Sequence, residues 1–502
     1  MWSLYTAQWK IRINSSLCNV QGCHRTVSTP KGGSLSEIHT IDLTLFSLPT
    51  NHSLQCYGTT KPTIGTKRLL TQPDLRIMRR RAFLTLLGSS TLSLAGCQRR
   101  DLGSTDTRVK DQPPGSPPLD PMGQWPSFRF DSGNTGHNPS GSGIREAEQY
   151  WRVDAGSVAS VADGTLYNIY GSWNYPNHSV NPDPRAEEYD STDLVRRDPT
   201  TAAVQSRTTL HSLYTEVNCP PTVADGRVYV SSYLYTFCLD PDQDEILWRT
   251  PQLEGIRGSP VVRNGSVYIA ALRGHNGNNG SESSQRQPVV LSLSATTGEI
   301  QWRYDIGASV RSPPAVINGT VFVNAEHALH AIDSATGEPR YTLEHPVETI
   351  QYGIPVATSD TVYVIIREEE RAQLVSVGAD SGEVRWKTPV PGLGQQIPVV
   401  TDNAVYVGTD TEVSVLDPRD GTESATYDSL NAPLARVGNV LYGTAGNAVI
   451  ALDALSGDLL WSHQTEEVRV EDVSYSGVVG ITPVSNAVYV RAADALYAFG
   501  SP

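Results

Sequence analysis

The chain has 502 residues and a formal net charge of −14, with 42 Gly and 33 Pro. At that length a large core can be buried, and no run of 18 apolar residues is present to form a hydropathic spanning helix. The acidic balance excludes nucleic acid as a partner, because a phosphate backbone needs a basic face.

Residues 1–77 differ in composition from the rest of the chain, with eight Lys plus Arg against three Asp plus Glu. Cys18 and Cys23 with His24 lack a second pair at ligand spacing, so no metal site is expected. The stretch MRRRAFLTLLGSSTLSLAGC (78–97) then combines a basic head, an apolar middle and a small-residue cleavage site. Arg80, Arg81, Phe83 and Leu84 fit the twin-arginine export pattern, and Leu94-Ala95-Gly96-Cys97 has the form of a lipobox with Cys97 as the lipidated residue. An export signal should open a protein. Residues 1–77 are therefore expected to be an over-extended reading of the gene and disordered, with translation starting at Met78.

From Cys97 onward there are 28 Lys plus Arg against 50 Asp plus Glu, and Lys110 and Lys387 are the lysines of that span. Acid-rich, lysine-poor surfaces stay hydrated when salt screens charge, a pattern of halophilic proteins. Residues 98–123, rich in Pro, Gly and charge without periodicity, read as a flexible tether. The folded body is expected over 124–502.

Two elements repeat through that body. The first is strand, tight turn, strand: VADGTLYNIY (161–170), PTVADGRVYV (221–230), PVVRNGSVYI (260–269), AVINGTVFV (315–323), PVATSDTVYV (355–364), PVVTDNAVYV (398–407), PLARVGNVLY (433–442) and PVSNAVYV (483–490). Asp-Gly and Asn-Gly steps supply the positive φ that two-residue hairpins require. The second runs apolar strand, Asp, two spacers, Ser or Thr, Gly, acid, then an aromatic. AIDSATGEPRY (331–341) and ALDALSGDLLW (451–461) show it most fully. Asp240, Asp333, Asp417 and Asp453 are placed to accept from backbone amides just ahead, and Gly337 and Gly457 to take the left-handed turn conformation. Trp248, Trp302, Trp386 and Trp461 are spaced as wedges between neighbouring sheets.

Seven four-stranded units are complete, and an eighth stops after LYAFG (496–500) without its outer strand. EQYWRV (148–153) matches the outer-strand pattern but has no strands before it. The orphan fits the gap. The expected fold is all-β: an eight-bladed propeller of four-stranded antiparallel blades, closed by an N-terminal strand completing the last blade.

With these motifs in place, A-x-D-x-x-[ST]-G-x-x-x-W resembles the pyrrolo-quinoline quinone (PQQ) repeat over about residues 124–500. WPSFRFDSGNTGHNPSG (125–141) is similar to the segment leading into such propellers in haloarchaeal members. That family includes quinoprotein alcohol dehydrogenases and the BamB-type lipoprotein, a scaffold in outer-membrane protein assembly. The dehydrogenases carry a vicinal cysteine pair, an axial calcium and a catalytic Asp. This chain has no adjacent cysteines, and no motif transfers the other residues. The repeated residues belong to packing faces, whereas a ligand would lie near the axis.

Three features remain as candidate sites. Asn218, Arg257, Arg311, Tyr352 and Gln395, each three residues before a Pro, are placed around one channel mouth, either to bind an anion or carboxylate or merely to line a wet channel. An insertion at 171–193 carries Trp173 and Tyr175 with Asp183, Glu187, Glu188 and Asp190; these could contact a partner or a hard cation such as calcium, and without EF-hand spacing the segment reads as a partner-binding loop. Residues 273–287 read as a plain surface loop. Asn177, Asn264, Asn279 and Asn318 open glycosylation sequons. Cys219 and Cys238 could pair outside the cell, but their expected placement on non-adjacent strands favours buried thiols.

The expected function is a non-catalytic, monomeric, lipid-anchored scaffold on the extracellular face of the plasma membrane. It would bind a protein or a surface polymer and need no cofactor or metal. The alternative is a dehydrogenase using PQQ with calcium.

Overall fold

The computed structural model describes residues 10–13, 16–19 and 119–502. Within the last range, 155, 171–191, 212–218, 254, 257, 274–286, 309, 311, 345–352, 369–370, 391–396, 409–411, 429, 471–472 and 476 are excepted. The chain divides into two units, Met1–Arg99 and Arg100–Pro502. In the first, Lys10–Ile13 and Ser16–Asn19 pair as an antiparallel hairpin.

The second unit is an all-β propeller of eight blades, each built on four antiparallel strands, which blades 1 to 7 take consecutively from the chain. Blade 1 comprises Ser160–Ala162, Thr165–Tyr170, Thr192–Arg197 and Val204–His211, from innermost to outermost strand. Blades 2 to 7 have their innermost strands at Thr222–Ala224, Val261–Arg263, Ala315–Ile317, Val356–Ala357, Val399–Val400 and Asn431–Val437. Blade 8 takes three strands from the end of the chain, Val478–Pro483, Ala487–Ala492 and Ala495–Gly500. Its fourth is Glu148–Asp154, with Ala498 opposite Trp151 and Phe499 opposite Gln149. The ring therefore closes as the orphan strand requires, and closure leaves no long open edge.

Local chemistry explains each blade. The innermost hairpin turns on Asp163-Gly164, Asp225-Gly226, Asn264-Gly265 and Asn318-Gly319, and all eight of these residues have positive φ. That is the type I′ geometry matching strand twist. Each blade carries a bulge between its two outer strands, at Arg196/Arg197 in blade 1, Cys238/Leu239 in blade 2 and so on to Ala498/Phe499 in blade 8. The extra residue precedes the wedge position, and a bulge re-aims the side chain beside it.

The core is distributed. Among the described residues seven hydrophobic clusters lie between neighbouring blades, such as Val261, Tyr268 and Trp302 with Val316, Val321 and Ile332 between blades 3 and 4. The largest joins blades 7, 8 and 1 and takes in Leu119, Trp125 and Ile144 from the N-terminal segment. Among the described residues Leu119 is already packed into this core.

Candidate functional site

The repeat motif is a joint between blades. Asp333 Oδ1 accepts from the N–H groups of Ala335 (2.9 Å) and Thr336 (3.0 Å), and Asp453 does the same for Leu455 and Ser456. Arg340 pairs with Asp333 at 2.8 Å and holds its carboxyl down at about 2. The turn so formed receives the wedge of the preceding blade. Trp248 Nε1 donates to Ala295 O (3.0 Å), Trp302 to Ser334 O (2.9 Å) and Trp386 to Pro418 O (3.0 Å). Trp461 donates to Ile144 O (3.0 Å), so blade 7 grips the incoming closure segment itself. A Cβ on Gly337 would sit 2.7 Å from Trp302, so this glycine serves both its φ of +76° and the ring stacked on it.

Sequence reasoning passed over the partner of each wedge. The Tyr of the V-Y-[VI] strand lies against it, with centroids 6.1 Å apart for Tyr229–Trp248, 6.0 Å for Tyr268–Trp302 and 5.8 Å for Tyr363–Trp386. Tyr229 and Trp248 donate to the same carbonyl of Ala295. Burial, above all, pushes the Tyr363 phenol up to about 12. Tyr229 and Tyr268 are structural donors, the second to Ser334 O at 3.2 Å.

A second feature missed from sequence is the path of residues 122–138. This segment, here called the plug, runs along the innermost strands and accepts a backbone hydrogen bond from seven of the eight blades. Val161 N–H reaches Trp125 O (3.0 Å), Val223 reaches Pro126 (2.7 Å) and Val316 reaches Ser132 (2.6 Å). Ala357 reaches Gly133 (2.7 Å), Val400 reaches Thr135 (3.0 Å), Arg436 reaches Gly136 (2.9 Å) and Ser485 reaches Met122 (2.8 Å). At His137–Asn138 the plug becomes a fifth, parallel strand on blade 7. Burial, with Arg436 second, lowers the His137 imidazole to about 4.

Arg129 anchors the plug. Its guanidinium is buried and donates to Leu434 O (2.6 Å) on blade 7 and to Pro398 O (2.6 Å), which leads into blade 6. Gly136 passes directly over it, where a Cβ would lie 2.3 Å from Nη2. Burial lowers Arg129 to about 10 despite nearby Asp131, which leaves it charged at neutral pH.

Between the plug and blades 2 and 3 lies a cavity of about 210 Å³ whose walls include Ser127, Phe128, Asp131, Ser132, Val262 and Arg263. A quinone bearing several carboxylates does not fit the described lining, in which Arg263 is the one basic residue and Asp131 adds a negative charge. Among the described residues no group of three His, Cys, Asp or Glu side chains is placed to hold a metal ion. No helix among them is long and apolar enough to cross a membrane. Cys238 is a buried thiol pushed up to about 11 by its burial, and Cys219 is half-buried. Asn264 and Asn318 occupy positive-φ turns.

The other sequence-derived candidates lie outside the described residues: Arg80, Arg81, Phe83, Leu84 and Cys97; Trp173, Tyr175, Glu187 and Glu188; and Asn218, Arg257, Arg311, Tyr352 and Gln395. So do the sequons at Asn177 and Asn279.

Comparison with known proteins agrees with this geometry. The family described as outer membrane protein assembly factor BamB matches residues 186–280, 281–364 and 326–500. The curated BamB of Yersinia pestis is 22% identical over 213 residues, 40% of this chain and 46% of that protein, so the match spans about half the relative's length. BamB from Moraxella catarrhalis superposes with a TM-score of 0.50 at 12% identity, over 72% of this chain and 99% of that one. The quinohemoprotein alcohol dehydrogenase of Comamonas testosteroni also superposes at 0.50 and 12%, over 75% and 80%. At such identities the superpositions speak to fold alone. With blades, wedges and closure strand in place and the family match running from residue 186 to residue 500, the chain belongs to the BamB family of PQQ-repeat propellers.

Proposed function

We propose that this protein is a non-catalytic scaffold that binds another protein or a surface polymer, held by lipid on Cys97 at the extracellular face of the plasma membrane. The observation that carries the reading is the plug. Seven blades are tied to one internal segment by backbone hydrogen bonds, which makes the propeller a stiff platform with its own chain laid along the inner strands. The repeated residues are committed to joints between blades. A relative is named for assembling outer membrane proteins, and rigid frames of this kind display their working residues on loops. Trp173 and Tyr175 in the long first-blade insertion are the contact residues this reading selects.

The test is direct. Full-length protein purified in multimolar salt should show no quinone absorbance and no dye-linked oxidation of alcohols or sugars; a quinone band with turnover would establish the dehydrogenase instead. Cys97→Ser should release the protein into the medium, and continued membrane retention refutes the anchor. Trp173→Ala with Tyr175→Ala should abolish cross-linking to the partner at unchanged melting temperature.

A further inference from the structure

The plug skips one blade. The innermost-strand residues Val161, Val223 and Val316 sit one position before the turn-closing pair, opposite Leu166, Val228 and Val321, and each sends its N–H to a plug carbonyl. Val262 holds the same register in blade 3, opposite Val267. Among the described residues no plug carbonyl meets its N–H. Here the plug leaves the wall in a turn, Phe130 N–H to Ser127 O, with Phe130 at a φ of +76°. The cavity of about 210 Å³ occupies the space so opened, with Val262 in its wall.

The donors around that space exceed the acceptors. Ser127 Oγ and Arg263 Nε are buried and have no hydrogen-bond partner among the described residues, although both residues line the cavity. Arg263 is held from one side, by Nη1 to Ser132 Oγ at 2.7 Å. Among the described residues the one carboxylate in the wall is already engaged. Asp131 Oδ1 accepts from Gly133 and Thr135 N–H, and Oδ2 from the Thr135 hydroxyl. The charge of Arg129 acts on Asp131, and among the described residues the Arg263 guanidinium meets only the Ser132 hydroxyl. Phe128, Phe130, Pro260 and Pro313 contribute apolar wall to the same space. Ser127, Phe128, Val262 and Arg263 are only half-buried, so the space reaches solvent along that side.

We infer that this cavity binds one small carboxylate, whose oxygens take the Val262 N–H, the Arg263 Nε–H and the Ser127 hydroxyl, completing at blade 3 the ring of contacts made on the other seven blades. At roughly 30 Å³ per water-sized group the space holds about seven non-hydrogen atoms, a short aliphatic acid rather than a cofactor. A charge-assisted Arg–carboxylate pair fixes the head, and the aromatic and proline walls take the short chain. The site is independent of the scaffold reading and involves no turnover.

Propionate is the probe, and propionamide, of the same shape but uncharged, is the control. Titrated into the full chain at fixed chloride concentration, propionate should raise the melting temperature saturably and shift its carboxyl ¹³C resonance; propionamide should do neither. Arg263→Gln should weaken binding at least tenfold. Ser127→Val, which removes a hydroxyl with no internal partner and fills part of the space, should weaken it at least threefold while the unliganded melting temperature stays put. Equal stabilisation by propionate and by chloride at matched ionic strength, or propionate binding unchanged in Ser127→Val, overturns the assignment.

Discussion

Replacing Arg129 by Met tests whether the plug is integral to the propeller. Methionine keeps most of the aliphatic stem and removes the guanidinium, so Leu434 O and Pro398 O lose donors at 2.6 Å each. Hydrogen bonds to a charged group contribute roughly 1.5–3 kcal/mol apiece, and a buried carbonyl left unpaired costs a further 1–3 kcal/mol. Against this, the variant no longer buries a cation, whose desolvation already lowers Arg129 to about 10; relief of that shift returns up to about 3 kcal/mol. The net expectation is a loss of at least about 2 kcal/mol, read as a lower denaturation midpoint at unchanged m-value in guanidinium titration. Limited proteolysis should cut Arg129→Met first within residues 119–147, before any blade is cut. A variant within about 0.5 kcal/mol of the parent, or one cut first in the blades, would mean that the plug merely rests on the ring.

Two other predictions test the joints and the response to acid. Gly337→Ala faces both a φ of +76° and a Trp302 ring 2.7 Å from the new Cβ, whereas Gly226→Ala faces a φ of +70° with nothing within 4 Å. The second should cost about 1–2 kcal/mol from backbone strain, and the first about 2 kcal/mol more from the clash; equal losses by calorimetry would remove the wedge from the argument. His137 is lowered from 6.5 to about 4. Its contribution is therefore complete above pH 6.5 and is lost as pH falls through about 4, by about 2 kcal/mol allowing for partial exposure. Asp333 and Asp417, held at about 2 by Arg340 and Arg419, lose theirs only below the usual carboxylate range. Asp131 and Asp494, raised by burial, favour the folded state as acid is added. A His137→Gln variant should lack the first step alone, and an unchanged midpoint-versus-pH curve between 6.5 and 4 would refute the assignment.

Legibility in the amino-acid string divides along a physical line. Hairpins written as Asn-Gly, and the Asp–Gly turn before each Trp, depend on residues within a dozen positions, so their chemistry is visible in the string itself. The closure strand was legible because EQYWRV repeats a pattern whose purpose was known from its other copies. The tyrosines of V-Y-[VI] were not, since alternation in a strand signals one buried face without naming the neighbour it meets. The plug was illegible for a stronger reason. Its contacts join residues far apart, such as Arg129 and Leu434 at a separation of 305, and it consists mainly of backbone carbonyls that every sequence possesses. The cavity at blade 3 is a gap in that backbone pattern, so it could emerge only once the pattern itself was traced.

The same contrast between near and far contacts leads to a last prediction, about how the ring closes. Joints within the array span short separations, 47 residues for Trp248 to Ala295. Closure spans 351, from Tyr150 to Ser501. Loop entropy grows as (3/2)RT ln n, so shortening that loop to about 40 residues removes about 2 kcal/mol from the closing step, on the order of a twentyfold faster closure. The geometry permits this by circular permutation. Leu119 lies against Gly500, where a Cβ would sit 2.4 Å from its Cδ1, and the chain ends two residues later at exposed Pro502. A linker of about four residues joining 502 to 119, with the new start at Gly156, carries plug and closure strand on the end of blade 8. The permutant should keep the parent's plug, wedges and equilibrium stability within about 1–2 kcal/mol, while its refolding by stopped-flow tryptophan fluorescence accelerates by about tenfold or more. Refolding at the parental rate would show that closure is not the slow step, and that the blades, once stacked, draw the N-terminal strand in without a barrier of their own.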